Sequence, residues 1–278
     1  MIRHHLHTLT NGLRVVCVEM PHLHSAELAI YLKVGGRNDP PGREGLSHFL
    51  EHILFRGTAQ FPSSLAIESA FEAIGGAPNA ATDAESTYYY SRVHPDSVTR
   101  GMEIFASMLM KPLLAGIDIE KRIIAEEARE DLNEQGDEVN PDTIVSRMLW
   151  PRHPLGMPTI GTLDSIAAIE RTDLEAHLKT FYVPSNAVLV VSGPVTQRAI
   201  LDAARGCFGE WADTAVPPTP LVALRQFTPQ VCCVQDSDSQ MNLQLAFLGF
   251  ARDDRRFMAL RFLRRILAGG GSSRLHLR

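Results

Sequence analysis

The chain has 278 residues, 45% hydrophobic and 21% charged, enough to bury a substantial core and to form one large or two ordinary domains, which excludes disorder as a description of the whole. Its 27 Lys and Arg against 32 Asp and Glu leave a net charge of −5 at pH 7, so no overall cationic field exists to attract a nucleic acid or an anionic membrane, and neither partner is expected. No apolar stretch approaches the ~20 residues of a membrane-spanning helix, the first residues lack the apolar core of a secretory signal, and Cys17, Cys207, Cys232 and Cys233 form no CxxC pair; a soluble protein of the reducing cytoplasm is expected.

Residues 8–20 read as a hairpin, because Asn11-Gly12 is turn chemistry and Leu13 to Val18 is rich in β-branched side chains. A second strand is expected over 26–34, where Gly35-Gly36 breaks the pattern, and Pro40-Pro41-Gly42 then leads into a helix over 44–55. Another helix follows over 64–74, closed by Gly75-Gly76, and residues 86–93, with Tyr88, Tyr89 and Tyr90, read as a strand with alternating faces. Helical periodicity returns over 95–110 and 117–135, where Ile117, Ile123, Ile124, Ala128 and Leu132 form one apolar stripe. After a loop marked by Pro151, Pro154 and Pro158 come a helix over 172–181, a strand over 187–191 and a helix over 197–207.

The proline-rich segment 215–220 is the best linker in the chain. The expected organisation is a domain over 1–212, a linker over 213–221 and a second, truncated unit over 222–278, with strands at 231–235 and 243–250 and a helix over 255–267. The fold class is α+β, with helices packed on an antiparallel-rich sheet.

His48, Glu51 and His52 lie inside the helix over 44–55. A four-residue separation turns one imidazole only ~40° from the other and lifts it by a turn, so both rings reach one ion. Neutral imidazoles suit Zn²⁺, and Glu51 sits close enough to take a proton from metal-bound water. The order HxxEH is the inverzincin pattern. A catalytic zinc then needs a third protein ligand, usually acidic and on another element. Glu120 and Glu127 are seven apart and fall within ~20° of one helix face, which makes them the coherent candidates; Glu126, Glu130 and Glu134 read as a solvated acidic face.

These residues lie in the stretches GLSHFLEHILFRGT at 45–58 and EKRIIAEE at 120–127. With GMPTIGT at 156–162, NAVLVVSG at 186–193 and GGGSSRL at 269–275, they give a chain that resembles, over nearly its whole length, the M16 metallopeptidases, the family of pitrilysin, insulin-degrading enzyme and mitochondrial processing peptidase. The resemblance implies that His48, His52 and Glu127 bind zinc, that Glu51 is the general base and that Glu120 is an acidic neighbour of the ligands. The 74 residues between His52 and Glu127 match the family's spacing. It also implies that Asn79-Ala80, following Gly75-Gly76, is the element where a peptide substrate adds as a strand to a sheet edge; Pro78 stands where a larger apolar residue is expected.

The implied function is a zinc-dependent endopeptidase acting on peptides or unfolded segments. A second M16-like half is implied as well, as more of the chain or as a partner subunit, possibly in a homodimer, and it contributes an Arg and a Tyr that this sequence does not identify. The other reading is a non-catalytic core or assembly subunit, although such members usually lose parts of the zinc motif and this chain keeps all of it. A zinc-stabilised binding module would need a closed four-ligand site, and no Cys lies near the motif. His4, His5, His7, His22 and His24 read as surface residues, and Arg255, Arg256, Arg261, Arg264 and Arg265 as a solvated or partner-facing basic face.

Overall fold

In the computed structural model, which describes residues 3–219, 222, 228–237 and 241–277, strand residues sort by face as their alternation dictates. β1 (Arg3–Thr8) and β2 (Arg14–Glu19) form an antiparallel hairpin. β3 (Ala26–Leu32), β4 (Asn79–Thr82), β5 (Thr87–Val93) and β6 (Ala187–Gly193) complete a mixed six-stranded sheet in the order β1-β2-β6-β3-β5-β4. Only β2 and β6 pair in parallel. In β5, Thr87, Tyr89, Ser91 and Val93 are buried, while Tyr88 and Tyr90 face the other way and Tyr88 stacks 5.0 Å from Tyr31 of β3.

Helices cover the inner face. α1 (Leu46–Leu54) places Leu46, Phe49, Leu50, Ile53 and Leu54 at helical spacing, each at most 1% exposed. Full burial of such a side chain stabilises by roughly 1.5–3 kcal/mol. α3 (Val98–Met110) adds Met102, Phe105, Met108 and Leu109, and α8 (Gln197–Phe208) adds Ile200, Ala204 and Phe208, to one continuous core with Leu28, Ile30 and Leu189 of the sheet. α2 (Ser64–Glu72), capped by the Ser63 hydroxyl, inserts Ile67 and Phe71. α4 (Ile117–Arg129) and α7 (Arg171–Phe181) pack on α1 and α6 (Leu163–Ala168) packs on α4, while α5 (Pro141–Leu149), with no buried residue, packs on the turn at 154–156.

The elements differ from the sequence reading in several places. The helix expected to run to 135 stops at Arg129, because the Asn133 side chain accepts from the amides of Gln135 and Asp137 and turns the chain. The prolines and polar residues that follow contain α5, which starts where Asn140 caps the amides of Asp142 and Thr143 and Pro141 takes the first helical position. On α4, Ile123 is 42% exposed, and Glu120 rather than Ile123 shares the buried stripe with Ile124 and Ala128.

The chain divides into two compact units, Met1–Ser237 and Asp238–Arg278. Positions 220 and 221 of the expected linker lie outside the described residues. The segments 231–235 and 243–250 carry no strand: their β-forming side chains find no partner strand among the described residues. The second unit contains α9 (Phe257–Ala268), preceded by Arg256, whose guanidinium sits 3.8 Å over the Phe250 ring. Among the described residues no helix is long and apolar enough to cross a membrane.

Candidate metal centre

Everything in the site depends on how α1 is held. Its core stripe faces the sheet, so the opposite stripe, His48, Glu51 and His52, faces α4 and β4. The helix begins at Gly45, whose φ of +92 is in the left-handed region and whose Cβ position, were it filled, lies 2.3 Å from the Ile160 carbonyl oxygen. Gly161, at φ +91, would meet the Glu44 carbonyl oxygen at the same 2.3 Å. Only paired glycines allow the start of α1 and the 158–162 loop to approach this closely.

With no side chain at Gly45 to cap the helix, Asp39 does so from the preceding loop. Its Oδ2 accepts from the Gly45 amide (2.9 Å), and its Oδ1 accepts from the Ser47 amide (3.0 Å) and the Ser47 hydroxyl (2.6 Å). Ser47 Oγ also lies 3.0 Å from His177 Nε2 of α7. Burial pushes the Asp39 carboxyl up to about 7, against the pull of its Ser47 and Gly45 donors, and holds His177 down to about 4. Asp, Ser and His are the residue types of a nucleophile triad. Here the serine is fully buried and bonded to the carboxylate, so the trio anchors a helix and presents no nucleophile to substrate.

The imidazoles of His48 and His52 stand with ring centres 4.5 Å apart. Glu127 of α4 reaches across to both: its Oε1 lies 3.9 Å from His48 Nε2 and its Oε2 3.8 Å from His52 Nε2. Among the described residues these three form the one group whose ligand atoms converge, all within 4.8 Å of one another. Glu120, two turns earlier on the same face of α4 and 2% exposed, lies 3.3 Å from His52 Nδ1 and also binds the Arg56 guanidinium. Burial works against charge on Glu120, but the bonds from His52 and Arg56 outweigh it and hold its carboxyl below the usual range. An ionised Glu120 can only accept, which assigns the proton to His52 Nδ1 and leaves the Nε2 lone pair facing Glu127.

His48 is held down to about 4 by burial and by the neighbouring His52, so at neutral pH its ring is uncharged. On His52 burial also opposes charge, yet the Glu120 bond and the nearby Glu51 and Glu127 carboxylates raise its pKa overall. Two imidazole nitrogens and a carboxylate that is 44% exposed, with space beside it, fit a zinc-class dication that keeps one position for solvent.

Glu51 is 8% exposed, and its Oε2 accepts a 2.5 Å bond from the Thr82 hydroxyl of β4. Burial, the largest influence, raises the Glu51 carboxyl above its usual range. His48, Thr82 and Glu127 line one cavity of 410 Å³ with Asn140, Thr143 and Thr159. Asn79 and Ala80 lie on β4, the last strand of the sheet, with the Asn79 side chain accepting from the Ala80 amide (2.8 Å). Thr82, Arg56, Asp39 and His177 were not singled out from sequence. Only Asp39 carried a signal, as an acidic residue just ahead of a helix that starts on glycine.

Comparison with known proteins agrees with this architecture. An uncharacterized zinc protease of Streptomyces coelicolor is 32% identical over 276 residues, covering 96% of this chain and 60% of its own length. The mitochondrial-processing peptidase subunit beta of Saccharomyces cerevisiae is 31% identical over 226 residues, with 81% of this chain and 48% of that one covered. This chain thus spans about 60% or less of these two relatives. The crystal structure of a protease from Helicobacter pylori superposes with a TM-score of 0.72 at 25% identity, covering 79% of this chain and 54% of that one. Pitrilysin shares the fold, with a TM-score of 0.71 at 20% identity over 82% of this chain and 24% of its own. Residues 168–278 match the model of the peptidase M16 inactive domain. Residues 14–163, more than half of the chain, match that of insulinase, and the protein therefore belongs to peptidase family M16.

Proposed function

We propose that this chain carries the metal-binding and proton-handling half of a zinc-dependent endopeptidase. The observation that carries the reading is the meeting of His48 and His52 from α1 with Glu127 from α4, beside a buried carboxylate on the same helix face. In this reading the three residues hold the ion and Glu120 orients His52. When bound, zinc supplies Lewis acidity, polarising a peptide carbonyl and lowering the pKa of a coordinated water to about 7.

The protein's own part is to hold and move a proton. With Oε2 of Glu51 engaged by Thr82, Oε1 is left to accept the proton of the attacking water and to return it to the leaving amine. Burial keeps the carboxyl above its usual range, which brings it closer to the value a proton shuttle needs. No described strand pairs with the outer side of β4, so an extended peptide can add there at Asn79 and Ala80. Main-chain bonds would then orient the scissile carbonyl and leave side-chain selectivity loose. A second M16-like half, from a longer chain or a partner subunit, completes the substrate site in this reading.

The test compares the full chain with Glu51→Gln for bound zinc and for cleavage of an internally quenched peptide. The variant is expected to keep its metal and to lose about 10²–10⁴-fold in rate. Equal rates remove Glu51 from the chemistry. Zinc binding without cleavage by the parent, also after addition of a second half, supports the assembly-subunit reading instead.

A further inference from the structure

Glu51 has to present one oxygen to the reaction, and a carboxylate on a helix is free to rotate unless something holds it. Thr82 is placed to do this. Its Oγ1 lies 2.5 Å from Glu51 Oε2 and 3.3 Å from Thr87 Oγ1, its register partner on β5. A hydroxyl has a single proton. Thr87, fully buried, gives its own to the Val34 carbonyl oxygen at 3.0 Å. The Thr82 proton therefore goes to the nearer, charged acceptor, Glu51. β4 and β5 pairing fixes the Thr82 backbone, so the direction of this bond is set by the sheet.

We infer that Thr82 is a positioning residue for Glu51: its hydroxyl, carried on a backbone fixed by the β4–β5 pairing, pins Oε2 so that Oε1 faces the metal ligands. The inference rests on the proposed role of Glu51, and nothing in the sequence motif assigns it. It differs from a role for β4 in docking substrate, because it acts through a side chain on the inner face of the strand and not through the outer backbone edge.

Two measurements on the full chain test it. In the metal-free protein, Thr82→Val is expected to lower the melting temperature by about 3–6 °C, because a buried carboxylate loses its donor. In a Glu51→Ala background the same change should cost less than about 1 °C. Equal shifts in the two backgrounds overturn the inference. Thr82→Ala serves in the same cycle should the valine variant fail to fold.

In the zinc-loaded protein, Thr82→Val should lower kcat about 10–100-fold with unchanged zinc content and KM within about threefold. Thr82→Ser, which keeps the hydroxyl, should recover kcat to within about threefold. A rise in KM at constant kcat assigns Thr82 to substrate docking and overturns the inference, as does full kcat in Thr82→Val. If Glu51→Gln also cleaves normally, the proposed function itself fails, and the melting cycle still decides whether Thr82 and Glu51 are coupled.

Discussion

Asp39→Asn and His177→Gln are expected to tilt the pH dependence of stability in opposite directions. In the folded protein, burial lifts the Asp39 carboxyl from 3.8 to about 7 and lowers the His177 imidazole from 6.5 to about 4. Between those limits the folded pair holds one proton, on Asp39. The unfolded pair also holds one, on His177, so the two contributions cancel and the parent shows no slope from this pair. Each variant removes one side of the balance. With Asp39→Asn only the lowered His177 remains, whose stabilisation is present above pH 6.5 and is lost as pH falls toward 4. With His177→Gln only the raised Asp39 remains, whose stabilisation is present below pH 3.8 and is lost as pH rises through about 7. Each tilt amounts to about 1.4 kcal/mol per pH unit, or about 3 kcal/mol across the window. Urea-unfolding midpoints of parent and variants, measured at steps from about pH 4 to 7, read it directly, since every other titrating group contributes equally to all three curves. Variant curves parallel to the parent, or tilted in the same direction as each other, refute the protonation states assigned to the buried trio.

Arg56→Met removes the guanidinium from the buried Glu120, which lies 3.3 Å from His52 Nδ1; under the proposed function, zinc affinity, measured by competition with a chelator, is expected to fall about 10–100-fold, with partial recovery in Arg56→Lys. Unchanged affinity would show that Arg56 does not support the ligand. Gly161→Ala sets a Cβ 2.3 Å from the Glu44 carbonyl oxygen at φ +91, whereas Gly116→Ala, at φ +77, meets nothing within 4 Å. Gly116→Ala should cost about 1–2 kcal/mol of stability, for the left-handed backbone alone, and Gly161→Ala should exceed it and also weaken zinc binding by displacing the start of α1; equal costs would refute the close approach of the two glycines.

The parts of the molecule legible in the sequence are those whose partners lie a few residues away. The two stripes of α1, Leu46-Phe49-Leu50-Ile53 toward the core and His48-Glu51-His52 away from it, follow from a helical period of 3.6. The seven-residue spacing likewise puts Glu120 and Glu127 on one face of α4. What periodicity could not supply is the partner across space. Ser47 meets His177 over 130 positions, Arg56 meets Glu120 over 64, and Thr82 meets Glu51 over 31. Each of these contacts joins a polar residue with no local signature to a buried one, and each is satisfied only when the helices and the sheet have docked. The same logic explains Ile123, which fits the apolar stripe on paper but stands exposed. A carboxylate two turns before Glu127 is acceptable in the core once Arg56 and His52 bond to it, so Glu120 displaces the isoleucine from the buried side of α4. Strands obey this rule most strictly. Residues 243–250 have the side chains of a strand, but a strand exists only beside another, and among the described residues none lies beside them. β4, with four residues and two alanines, has a weak pattern and is nonetheless a strand because β5 lies alongside it.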